Sequence, residues 1–105
     1  MNAIDTIYTV ALPRLAGSRE QAERLTDHLP DDLSDSTVVI DAREAASIAQ
    51  CCIDELCKQI AQRRKAKKLV VVTDNGRLVQ RVLNSARLRS FEDRVVIVAT
   101  EDFAV

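Results

Sequence analysis

The sequence predicts a single α/β domain over residues 1–105, built on a small, mainly parallel four-stranded sheet with three helices. Three observations predict it. Short apolar, β-branched runs recur at residues 6–12, 38–40, 69–72 and 95–98. The stretches between them carry apolar residues at helical spacing. The last three runs are continuous rather than alternating, the pattern of strands buried in a parallel sheet. Alternation of this kind gives the order β-α-β-α-β-α-β and a sheet covered by helices in two or three layers.

Each element has a local reason. Residues 6–12, Thr-Ile-Tyr-Thr-Val-Ala-Leu, favour a strand, and Pro13 closes it. Ser18 with Gln21 three residues on is a capping-box pattern, and Ala22, Leu25 and Leu29 share the helical face that follows, up to Pro30. The acidic, polar stretch 30–36 reads as a surface loop. Val38-Val39-Ile40 is the second strand. Ser47 with Gln50 repeats the capping-box pattern, and Ile48, Cys52, Ile53, Leu56, Cys57 and Ile60 mark the second helix. Its end is cationic from Arg63 to Lys68, which suits the helix dipole and predicts a solvated helix end. Residues 69–72 form the third strand. Asp74-Asn75-Gly76 is a turn in which Asp74 or Asn75 caps a helix with the stripe Leu78, Val79, Val82, Leu83 and Ala86. Residues 95–98 are the fourth strand, and the tail 101–105 is expected to be loosely held.

Composition narrows the function. The chain has 105 residues, 47% hydrophobic and 30% charged, enough for one core. Its 15 basic and 16 acidic residues leave a net charge of −1, so no general attraction to nucleic acid or anionic lipid is expected. Two Phe, one Tyr and no Trp leave little for base stacking. No run approaches the ~20 apolar residues that cross a bilayer, and the first residues lack the signal-peptide pattern. Cys51, Cys52 and Cys57 form an odd, clustered set, unlike a secreted disulfide framework, so a cytoplasmic setting is expected.

The chemistry-bearing residues point to binding rather than catalysis. In open parallel sheets the working edge lies at the carboxyl ends of the strands. The longest and most polar segment there is 41–50, which runs into a helix. Asp41, Arg43, Glu44, Ser47 and Gln50 line it, with Cys51 and Asp54 in the helix that follows. No nucleophile–base pair accompanies them. Gly17 and Gly76 are the only glycines, so there is no Gly-rich phosphate loop, and no cofactor is expected. The cysteines lack zinc spacing and His28 is the only histidine, so no metal is expected. Cys52 shares the core side with Leu56, and Cys51 turns away, where a helix N-terminus could activate its thiol.

Val38-Val39-Ile40-Asp41, followed by Ser47-Ile48-Ala49-Gln50-Cys51-Cys52-Ile53-Asp54-Glu55-Leu56, resembles the STAS family, and more closely a STAS-like branch of bacterial proteins. Gly17-Ser18-Arg19 and its helix match that branch, and the likeness covers roughly residues 17 to 100. Ile53-Asp54-Glu55-Leu56 is its most specific part. The resemblance implies an anti-sigma-factor-antagonist-like regulatory domain whose partner is a regulator with a histidine-kinase-like ATPase fold. In that family an Asp-Ser pair at the helix start carries the phosphorylated serine. Here Ala49 and Gln50 occupy the pair and Cys51-Cys52 follow, so the acceptor in register is missing. Ser47 is the hydroxyl nearest to it and the candidate phosphosite. Two other readings stay open: a small-molecule or thiol redox sensor using Cys51, and a self-assembly module, including a homodimer, built on leftover apolar surface or an open strand edge.

Overall fold

The structure is a computed structural model that describes residues 6–103. Four strands, β1 (Thr6–Ala11), β3 (Ser36–Asp41), β5 (Lys68–Val72) and β6 (Val95–Val98), form one sheet in the order β1-β3-β5-β6, with every pair parallel. Three α-helices link them: α1 (Arg19–Thr26), α2 (Gln50–Cys57) and α3 (Gly76–Leu88). The expected sheet and helix count are both present.

Two short strands were not expected. β2 (Leu15–Ala16) and β4 (Ser47–Ile48) pair in parallel beyond the carboxyl ends of β1 and β3. They correct the capping expected at Ser47. The backbone N–H groups of Ala46 and Ser47 both donate to the Arg14 carbonyl, and that of Ala49 to Ala16. Ser47 is thereby held extended, and α2 begins only at Gln50, with Ala49 at the N-cap and no side-chain cap bond. Ile48 belongs to β4, not to the helix. Backbone pairing has won over a side-chain cap.

The other caps follow the sequence. Ser18 Oγ accepts from Gln21 N at 3.1 Å, while Gln21 Oε1 reaches back to Gly17 N at 3.2 Å rather than to Ser18. Asn75 Oδ1 accepts from Arg77 N and Leu78 N at the start of α3. The end of α1 differs: the helix stops at Thr26, so Leu29 lies outside it and Pro30 is not what ends it, and the Thr26 hydroxyl donates back to the carbonyls of Ala22 and Glu23.

Past Cys57, α2 widens into a π-helical turn, Lys58–Arg63. The cationic stretch after it is not a solvated helix end throughout. Buried Gln59 donates to buried Glu55 at 2.6 Å, and its Oε1 accepts from Arg63 and Arg64 at 3.0 and 2.9 Å. Ala66 is buried, and Lys68 opens β5.

The sheet steps in one direction, β1 to β3 to β5 to β6. Right-handed crossovers therefore place all three helices on the same face, and α2 packs between α1 and α3. The core lies between the two layers. It joins Val10, Val38, Ile40, Leu69 and Val71 of the sheet to Ala22, Cys52, Ile53, Leu56, Ile60, Leu78, Val82 and Ala86. Burying a Leu or Ile such as Leu56 or Ile60 contributes about 1.5–3 kcal/mol each.

Candidate functional site

The carboxyl end of β3 carries a bidentate ion pair. Asp41 closes the strand, and the chain turns so that Arg43 folds back onto it. Arg43 Nε donates to Asp41 Oδ1 at 2.9 Å and Nη2 to Oδ2 at 2.8 Å, while the Arg43 backbone N–H also reaches Oδ1 at 3.2 Å. A two-pronged guanidinium–carboxylate pair fixes both side chains in one geometry. The hydrogen bonds from Arg43 hold the Asp41 carboxyl below its ordinary value of 3.8, and Asp41 in turn raises the guanidinium. Asp41 is therefore ionised and engaged at neutral pH, suited to fixing an orientation rather than to shuttling a proton.

This pair and Glu44 border a cleft of about 350 Å³ whose remaining walls are Ala11 and Leu12. A second cleft of about 520 Å³ adjoins it, sharing Ala11, Leu12 and Glu44 and extending over Pro13, Leu25, Gln21 and Arg24. Together they form a groove from the end of β3 to the side of α1, mixed in charge and floored by apolar groups.

The remaining sequence candidates are placed apart from this groove. Ser47 is exposed on β4. Gln50, in the first turn of α2, donates to Asp54 Oδ1 at 3.1 Å and to the Arg81 carbonyl at 3.3 Å. Arg81 donates in turn to the Ile48 carbonyl, tying α3 to β4. Cys51 is half-buried, with Sγ 3.5 Å from the Gly17 carbonyl. Cys52 and Cys57 are buried, and burial pushes each thiol up to about 11. Among the described residues, no three His, Cys, Asp or Glu side chains gather as a metal site, and no helix is long and apolar enough to cross a membrane.

Sequence reasoning missed Phe103. The tail is anchored as far as that residue: Thr100 N donates to Asp74 Oδ1 at 2.9 Å, residues Thr100–Phe103 form a 3₁₀ turn, and Arg43 stacks on the Phe103 ring 5.2 Å from its centroid. Residues 104–105 lie outside the described residues. A lone aromatic in a short acidic tail gave no periodic signal. Gln21, Arg24 and Leu25 were visible only as part of a helix, because their part in the groove depends on how α1 docks beside β1. Comparison with family models, curated proteins and solved structures found no match to this chain.

Proposed function

We propose that this chain is a non-catalytic protein-interaction domain of a regulatory kind, and that it binds its partner along the groove at the carboxyl ends of β1 and β3. One observation carries this reading: the Asp41–Arg43 pair, locked by two hydrogen bonds, stands beside Glu44 over a floor of Ala11 and Leu12. Fixed charges of both signs around an apolar strip match a polypeptide surface, which offers both kinds of contact, better than a single small anion. The STAS resemblance suggests an ATPase-fold regulator as that partner, in a cytoplasmic bacterial setting. It also makes Ser47, exposed and near the start of α2, the residue at which phosphorylation would regulate binding by adding charge to the surface next to that helix.

Affinity capture of the tagged chain from its native host, with and without ATP, tests the reading. An ATPase-fold regulator recovered by the unaltered chain and lost with Glu44→Arg supports it. Glu44 is exposed, so the change leaves the fold intact while reversing a rim charge. Capture that is indifferent to both Glu44→Arg and Ser47→Asp removes it.

A further inference from the structure

The sheet face opposite the helices has a use of its own. Side chains alternate across a strand. With Val10, Val38, Ile40, Leu69 and Val71 turned to the helices, the other face presents three rows across the sheet. They are Ile7–Thr37–Lys68, Thr9–Val39–Val70–Val96 and Ala11–Asp41–Val72–Val98. The core residues of α1, α2 and α3 all pack on the other face. Ile7 is 64% exposed and Val96 39%. At its upper end Val39 and Val72 are buried although neither belongs to the core between the layers, and there Arg43 bridges Asp41 and Phe103. Apart from Lys68, the lower part, with Ile7, Thr9, Thr37, Val70 and Val96, is apolar or carries only Thr. Fully parallel sheets are found almost only with both faces covered.

We propose that a second copy of this chain covers this face, the two sheets stacking with their strands antiparallel across a two-fold axis. Charge selects this occupant and its orientation. Within the strands the open face carries Lys68 at the start of β5 and, at the end of β3, Asp41, whose charge its own Arg43 already balances. Beyond Asp41 and its Arg43 stand the exposed carboxylates Glu101 and Asp102. A two-fold axis along the strands would set Lys68 level with Lys68. An axis across them brings each Lys68 to the acidic end of its partner and Val70 against Val70, a self-complementary contact. Area agrees with a reversible dimer. Four strands about 4.8 Å apart and about 13–20 Å long span on the order of 300 Å² per copy, with the upper row already covered, a contact of the small, weak class. The face meets the proposed groove at Ala11, Asp41 and Arg43, but Ile7, Lys68 and Val96, where the variants below are placed, lie outside it, so either reading can fail without the other.

Sedimentation equilibrium of the full chain from about 5 to 500 µM reads the outcome. The expected result is a mass rising from 11.7 kDa toward twice that value, with a dissociation constant in the micromolar range that weakens as salt is raised. Ile7→Lys and Val96→Lys should each abolish the dimer while leaving the circular dichroism melt unchanged, because both side chains are exposed in the monomer. Lys68→Glu should weaken it about tenfold. Isotope-filtered NMR on a mixture of labelled and unlabelled chain supplies a second readout that needs no variant: Val70 and Val96 methyls should show contacts between copies. A monomer throughout the range overturns the proposal and leaves the face to a different protein. A dimer indifferent to both lysine variants, or one without intermolecular valine contacts, overturns it equally.

Discussion

Asp41 shows how a single residue acquires a job from its neighbours. In the sequence it is the acid that ends a strand, one of 16 acidic residues. In the structure it is the anchor for Arg43 and, through Arg43, for Phe103. Its carboxyl is lowered by the Arg43 hydrogen bonds, which fixes the sign of a pH effect. A folded value below the unfolded one means that the pair stabilises the fold above the ordinary carboxylate value of 3.8, and that this contribution disappears as pH falls through the folded value. Asp41→Asn should therefore lower stability at neutral pH and flatten the acid limb of the unfolding profile. The check is urea denaturation of both proteins from pH 7 down to the acid transition, with the Asp41 carboxyl followed by NMR. A midpoint at or above 3.8 would mean that the pair does not form in solution.

At the scale of elements, the two capping expectations at α2 and α3 came out differently for a physical reason. Asn75 and Ser47 each precede an apolar helical stripe. Asn75 has no competing backbone partner strand and caps α3 through two backbone N–H groups. The Ser47 segment is captured by Arg14 and Ala16, and that long-range pairing has no local signature. For this reason the four long strands and the helical stripes were legible, while β2, β4 and the true start of α2 were not. The same distinction governs the candidate site. Asp41, Arg43 and Glu44 are close in sequence and were legible as a group, whereas Gln21, Arg24, Leu25 and Phe103 join them only through tertiary packing. Thermal or chemical denaturation separates the two serine/asparagine positions. Asn75→Ala should cost about 1 kcal/mol, the usual loss of a cap. Ser47→Ala should stay within about 0.5 kcal/mol, as for an exposed surface position. A cost at Ser47 equal to that at Asn75 would restore the capping role that the structure denies it.

For the molecule as a whole, the deciding feature is that α2 lies between α1 and α3 with the sheet beneath it. Its buried side chains reach solvent only if the helical layer opens, so its thiols report on the cooperativity of the entire fold. Cys52 and Cys57 are 0% and 1% exposed, and their thiols stand at about 11 against an ordinary 9.0. A rise of that size leaves on the order of 100-fold less thiolate at pH 8, and the thiolate is the reacting form. Cys51 is half-buried at the edge of the same helix and lies against a loop carbonyl, outside the core. Titration with a thiol reagent at pH 8 should show one cysteine reacting early and two reacting together, at a rate set by opening of the fold. Sub-denaturing urea should accelerate the slow pair in step with the loss of helical signal, while changing Cys51 little. Two fast thiols in the native protein would mean that one side of α2 opens independently, and the helical layer would then be two units rather than one.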